Sequence, residues 1–203
     1  MTDIIVNYQY VEKLPIVILD NIYTPSEVNS LLKECEYLHD RLLGPEQTHS
    51  AKKDGKTLKQ NSGIYLENFF IDKKQSSIHQ ITRKIFTTPF GEMLQNIDTF
   101  FEYYIRTNAD NTLLSYYENS DFYEEHVDVS LFTMCTWIHK TPKAFTGGDF
   151  IINGEIKVDC ENNRCVIFPS ILKHKVTPVT IEKINQDQIK GRFTISQFAS
   201  INI

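Results

Sequence analysis

The stretch Arg164-Cys165-Val166-Ile167-Phe168-Pro169-Ser170-Ile171-Leu172-Lys173-His174-Lys175-Val176-Thr177-Pro178-Val179 decides how the second half of the chain is read. An apolar run stops at Pro169, which cannot donate a ladder hydrogen bond. The chain then turns, and a second run opens around His174. Working outward, residues 112–118, 132–138, 149–152, 155–159 and 192–199 are short runs of the same strand-like kind. Asn153-Gly154 between two of them is a two-residue hairpin signal, and Gly147-Gly148 and Gly191 punctuate others. Several short strands at this spacing predict a β-sandwich, barrel or jelly roll.

The first half reads differently. Leu14–Asp20 is a β-rich run, and Thr24-Pro25-Ser26-Glu27 is a helix start. Thr24 serves as N-cap, Pro25 stands in the first helical position, and Glu27 closes a capping box. Val28, Leu31, Leu32, Cys35 and Leu38 recur at helical spacing, so their stripe must pack on something, and a sheet is expected. Residues 44–62 are polar and Gly-punctuated, locally basic through Lys52, Lys53, Lys56 and Lys59, and read as a long surface loop. Residues 64–70 suggest a short strand. Ser76 and Ser77 open a helix with Ile78, Ile81, Ile85 and Phe86 on one face, and another follows Thr88-Pro89. The expectation is a mixed α+β, mainly β, single domain over residues 1–203. Residues 1–110 would supply supporting helices, and 111–203 the β core.

The chain has 203 residues, a formal net charge of −5 and a hydrophobic fraction of 41 %. That is enough to bury a core without disulfide staples. The acidic balance weighs against general binding of nucleic acid or anionic membranes, because phosphate affinity rests on Lys and Arg. No apolar run approaches the roughly 20 residues that span a bilayer, and the N-terminus lacks the pattern of a signal peptide. The four cysteines, at 35, 135, 160 and 165, have no CxxC spacing. A reducing, cytoplasmic setting is the expectation, with the thiols as buried bystanders.

Three positions bear on chemistry. On a strand, His126 and Asp128 share a face, although a surface histidine beside a turn aspartate also accounts for such a triplet. His174 opens a later strand. Two histidines and a carboxylate would occupy one face of an octahedron and leave three positions open, as in non-haem Fe(II) oxygenases; a structural zinc site would instead be closed by a fourth protein ligand. On the last strand, Arg192, Thr194 and Ser196 share a face. Arg192 is either an edge-strand residue in solvent or an inward cation that needs an anion. His39, His49 and His79 read as surface or capping residues, His139 as a structural residue near the rim, and Trp137 and Phe168 as core.

These residues carry a family resemblance. Tyr117-Glu118-Asn119-Ser120-Asp121-Phe122-Tyr123-Glu124-Glu125-His126-Val127-Asp128 resembles the Y-E-x-G-x-x-Y-x-x-H-x-D pattern of the prolyl-4-hydroxylase-like group of 2-oxoglutarate/Fe(II)-dependent dioxygenases. Gly147-Gly148-Asp149-Phe150, the segment around His174, and Arg192-Phe193-Thr194-Ile195-Ser196 resemble further motifs of that group, and residues 14–35 its usual opening. Two departures stand out: Ser120 occupies a position that is glycine in the family, and residues 180–190 lengthen the interval between His174 and Arg192.

The resemblance implies a double-stranded β-helix (jelly-roll) core and Fe(II) held by His126, Asp128 and His174. It further implies 2-oxoglutarate gripped at its far carboxylate by Arg192 with Thr194, and a phenol from Tyr117, with neighbouring Tyr116 on the opposite strand face. The implied reaction consumes O2, with room for ascorbate as an auxiliary reductant, and hydroxylates a C–H bond, foremost in a peptidyl proline. The alternatives are an oxygenase of the same fold acting on a small molecule or nucleobase, and an inactive jelly-roll binding module. The substrate is expected to be a peptide, protein or small molecule, and the basic segment at 52–59 favours an anionic one. No nucleic-acid or membrane partner is expected.

Overall fold

Leu14-Pro15-Ile16-Val17-Ile18-Leu19 is apolar on both faces because both faces of its strand are covered. In the computed structural model, which describes residues 4–182 and 189–202, Val17 and Leu19 pack toward helices while Ile16 and Ile18 pack toward a second sheet.

The elements run β1 (Ile5–Val11), β2 (Leu14–Asp20), α1 (Pro25–His39), β3 (Lys52–Lys53), β4 (Lys56–Thr57), β5 (Lys59–Gln60), β6 (Ser62–Tyr65) and α2 (Leu66–Phe69). They continue through α3 (Ser77–Thr82), α4 (Thr88–Ile97), α5 (Glu102–Ile105), β7 (Ala109–Tyr117), β8 (Phe122–His126), β9 (Phe132–Ile138) and β10 (Thr146–Gly147). The chain then forms β11 (Phe150–Ile152), β12 (Ile156–Val158), β13 (Arg164–Pro169), β14 (His174–Val176), β15 (Val179–Thr180) and β16 (Arg192–Ser200). A seven-stranded sheet in the order β1-β2-β13-β9-β16-β7-β6 faces a five-stranded sheet in the order β12-β11-β14-β8-β5. This is the antiparallel jelly roll that the strand pattern and the resemblance anticipate.

Two cores result. The helices cover the outer face of the large sheet, where Leu31, Cys35 and Leu38 of α1 meet Val17, Leu19, Phe193 and Ile195. Between the sheets, Ile16, Ile18, Trp137, Phe150, Phe168 and Val176 form the second core. The α1 capping box is present in full: Glu27 N–H donates to Thr24 Oγ1 at 3.3 Å, and Thr24 N–H donates to Glu27 Oε2 at 2.7 Å. Such a cap contributes about 1 kcal/mol, and here it fixes where the helix enters its layer. Asn153 and Gly154 both adopt positive φ in the β11–β12 turn, as the hairpin signal requires.

Several expectations need correction. Residues 44–62 are not simply a surface loop. They include a short hairpin of β3 with β4 and then β5, which pairs with β8 and ends the small sheet. Within 64–70, the strand ends at Tyr65 and α2 follows. Strand β1 gave no sequence signal, because its hairpin to β2 turns through Glu12 and Lys13 at positive φ without glycine or asparagine. His79 is buried rather than a surface residue. Of the expected 180–190 loop, residues 183–188 lie outside the described residues. All four cysteines are buried and unpaired with one another. Among the described residues no helix is long and apolar enough to cross a membrane.

Candidate active site

His126 ends β8 and His174 begins β14, and the two are register partners across the small sheet, with ring centroids 4.2 Å apart. Asp128 lies just beyond β8, not on it. The strand-alternation argument therefore does not explain its position. Its backbone N–H instead donates to Ser170 O at 3.1 Å, which folds the loop back toward His174. The ligand-capable atoms of His126, Asp128 and His174 all lie within 4.8 Å of one another.

The surrounding bonds aim these atoms. His126 Nδ1 lies 2.8 Å from Glu124 O, and His174 Nδ1 lies 3.0 Å from Leu172 O. A carbonyl only accepts, so each Nδ1 carries the proton and each Nε2 presents a lone pair. Those lone pairs face Asp128: Nε2 of His126 is 3.6 Å from Oδ1, and Nε2 of His174 is 3.3 Å from Oδ2. Thr133 Oγ1 donates to Asp128 Oδ2 at 2.6 Å and lies 2.8 Å from Ser170 Oγ. Burial, followed by the neighbouring His174, depresses His126 to about 4, which keeps it neutral at ordinary pH. Burial pulls the Asp128 carboxyl upward, but His174, Thr133 and His126 outweigh it and hold the group below its ordinary value. Imidazole lone pairs converging on a carboxylate repel unless a cation lies among them. The donor set suits Fe(II) or a similar divalent ion with open positions.

On the wall formed by the large sheet, Arg192 is 0 % exposed. Its Nη1 donates to Thr194 Oγ1 at 2.8 Å, while Nε and Nη2 have no partner. The guanidinium lies 4.3 Å from the centroid of the Tyr117 ring, with Trp137 behind it at 5.9 Å. Arg192 and Tyr117 are register partners on β16 and β7, and Thr194 pairs with Trp137 on β9. Glycines make the room. A Cβ on Gly148 would stand 3.0 Å from Arg192 Nε, and one on Gly191 would stand 2.0 Å from Tyr117 O. A buried guanidinium with free donors and no carboxylate among the described residues is costly until an anion arrives. This cradle suits one carboxylate of a dicarboxylic cosubstrate.

His126, Asp128, His174, Tyr117, Arg192 and Thr194 therefore line one cavity between the sheets. Tyr117 faces it, and burial raises its phenol well above the ordinary value, so the hydroxyl stays protonated. Tyr116 points the other way, where its hydroxyl accepts Gly191 N–H at 2.9 Å and its ring meets His39. Ser120 has φ of 71°, so the turn keeps the left-handed conformation that glycine favours.

Sequence reasoning missed several lining residues. Tyr123 stacks on His126 with centroids 3.6 Å apart, and Trp137 is wall as well as core. Asn61 and Lys59 also line the cavity, although Lys59 was read as part of a solvated basic run. Lys59 is 4 % exposed and, mainly through burial, depressed to about 8.

Residues 112–199 match the family model of the 2OG-Fe(II) oxygenase superfamily. The motifs in this segment and the fold around them resemble the 2-oxoglutarate/Fe(II)-dependent dioxygenases, in particular their prolyl-4-hydroxylase-like group. The family implies Fe(II), 2-oxoglutarate and O2, and oxygenation as the general reaction. Among solved structures, the fold is similar to that of a Pseudomonas putida prolyl-4-hydroxylase, with a TM-score of 0.61 at 13 % identity over 93 % of each chain. A viral collagen prolyl hydroxylase from Paramecium Bursaria Chlorella virus-1 gives 0.57 at 11 % identity, over 92 % of this chain and 96 % of that one. The α-ketoglutarate-dependent epimerase SnoN from nogalamycin biosynthesis gives 0.56 at 12 % identity, over 92 % of this chain and 77 % of that one. No curated protein matches the sequence.

Proposed function

We propose that this protein is an Fe(II)- and 2-oxoglutarate-dependent dioxygenase that hydroxylates a C–H bond, with a prolyl residue of a peptide or protein as the substrate that its resemblance favours. One observation carries the reading. A single cavity brings the ligand-capable atoms of two histidines and a carboxylate within 4.8 Å of one another and, on its facing wall, holds a buried guanidinium whose Nε and Nη2 have no hydrogen-bond partner among the described residues.

His126, Asp128 and His174 hold the metal in this reading. Their Nδ1–H bonds to Glu124 O and Leu172 O, and the Thr133 bond to Asp128, fix the ligand atoms before metal arrives. Arg192 and Thr194 grip the far carboxylate of the cosubstrate, and Tyr117 offers a protonated phenol beside it. When bound, the metal and cosubstrate supply O2 activation coupled to decarboxylation of 2-oxoglutarate to succinate and CO2. The protein contributes orientation and exclusion of water. Trp137, Phe150 and Phe168 close the back of the site with apolar surface.

The test is direct. Anaerobic Fe(II) with 2-oxoglutarate should raise the melting temperature, as ligand linkage requires. In air, succinate should form, and a peptide or metabolite from a panel should gain the mass of one oxygen atom. A purified, folded protein that neither binds 2-oxoglutarate nor forms succinate overturns the reading.

A further inference from the structure

Lys59 is an oddity of the cavity. It is nearly sealed from bulk solvent, and it has no ion pair among the described residues. The ion-pair distances of Asp128 are to the two histidines, not to Lys59. The lysine ammonium instead lies 5.4 Å from the centroid of the Tyr123 ring, whose other neighbour is His126. Burying an ammonium without a partner is expensive, and a chain that only needed a strand residue at β5 would do better with an apolar one.

Position separates Lys59 from Arg192. The inner cavity is lined by both cations. A second, outer cavity adjoins it and is lined by Lys59, Tyr123, His126, Asp128, Ser130 and Thr48, among others, but by neither Arg192 nor His174. Lys59 is the only Lys or Arg among the described residues of that outer lining. It therefore stands where the outer cavity opens onto the metal ligands, on the side from which a second substrate would approach.

Charge counting points the same way. A divalent metal with Asp128, and a dicarboxylate with Arg192, leave the loaded inner site neutral in formal charge. Lys59 is then one buried positive charge in excess. We propose that Lys59 is a specificity-determining residue that binds a carboxylate of the primary substrate, entering through the outer cavity. The carboxylate comes either from a free amino acid or other small acid, or from an acidic residue of a peptide. This rests on the oxygenase reading above and names the substrate chemistry that the reading leaves open.

The experiment measures equilibrium binding by calorimetry on Fe(II)- and 2-oxoglutarate-loaded protein without oxygen, so that turnover plays no part. The probes are matched pairs: free L-amino acids, proline included, against their carboxamides, and blocked proline-containing peptides with Asp or Glu against the same peptides with Asn or Gln. At least one carboxylate probe should bind about tenfold or more tightly than its amide. Lys59→Met should collapse that preference to about twofold while leaving amide binding and 2-oxoglutarate affinity unchanged, and Lys59→Arg should restore part of it. Which family of pairs responds tells a free acid from an acidic peptide.

The proposal is overturned if no carboxylate probe outperforms its amide, or if the preference survives Lys59→Met. It is also overturned if that variant loses 2-oxoglutarate binding instead, which would assign Lys59 to the cosubstrate. A Lys59-dependent preference in a protein that binds no 2-oxoglutarate would keep the carboxylate site and remove the oxygenase reading.

Discussion

The two faces of the large sheet are made from the same strands and do opposite work. On β16, Phe193 and Ile195 face the helices, in a layer of aliphatic and aromatic side chains. Arg192, Thr194 and Ser196, the alternate residues of that strand, face the cavity, where free donors and converging lone pairs are left waiting. Adjacent Tyr116 and Tyr117 divide in the same way. The period-2 alternation of a strand thus lets one segment serve as ordinary core on one side and as a binding wall on the other. The helix-side face stabilises the fold, while the cavity-side face, in the function proposed above, gives up stability for recognition.

That contrast can be broken at four places. The largest effect is expected for His174→Ala, which removes a converging lone pair. Succinate formation should fall to background and Fe(II) affinity should drop, while the folded protein persists. Full turnover by this variant would dissolve the ligand role of His174, which meets the large sheet's cavity face from β14 of the small sheet. Next, Arg192→Met should raise the concentration of 2-oxoglutarate needed for half-maximal rate on the order of a hundredfold. The melting temperature without ligand should hold or rise, because an unpaired buried charge has been removed. A large loss of ligand-free stability would mean that the guanidinium serves the fold.

One residue along, Phe193→Ala should do the reverse. It should cost about 3–5 kcal/mol in denaturant unfolding with the 2-oxoglutarate requirement unchanged at a temperature where the variant is folded. A marked change in that requirement would show that the two faces are coupled. The smallest effect is expected at the rim. Ser120 holds a left-handed conformation that costs a non-glycine residue roughly 1–2 kcal/mol, and glycine loses more chain entropy on folding. Ser120→Gly should therefore stabilise by about 0.5–1 kcal/mol in the same unfolding experiment. Destabilisation would show that the serine hydroxyl serves the turn.

What could be read from the sequence follows from the range of the forces involved. The β16 face was legible because alternation is local: Arg192, Thr194 and Ser196 are two residues apart and need only a strand to align them. The α1 cap was legible for the same reason. His126 and Asp128 were legible as a motif, but their local geometry was misread, since a bond from Asp128 to distant Ser170 places the carboxylate. Lys59 was legible only as one member of a basic run that favours an anionic substrate, not as a buried cavity residue. Its neighbours Lys52, Lys53 and Lys56 make a solvated run, and its burial comes from pairing with Tyr123, far away in the chain. Likewise β1 hid behind a turn whose positive φ angles fall on Glu12 and Lys13, residues that carry no turn signature.

The attachment of residues 48–60 has its own consequence. Beyond the pairing of β5 with β8, this segment is joined to that strand by Ala51 N–H donating to Tyr123 Oη at 3.0 Å and Glu124 N–H donating to Leu58 O at 2.7 Å. These three anchors lie on the strand that ends in His126, and two of them use only backbone groups on both sides, while Lys52 pairs with Glu46 and the His49 ring meets Tyr65. Such a segment behaves as an exchangeable cassette. Its side chains can be rewritten, or its hairpin lengthened, while the strand that presents His126 remains in place. A library confined to residues 48–60 is therefore the economical route to redirecting this scaffold toward new substrates.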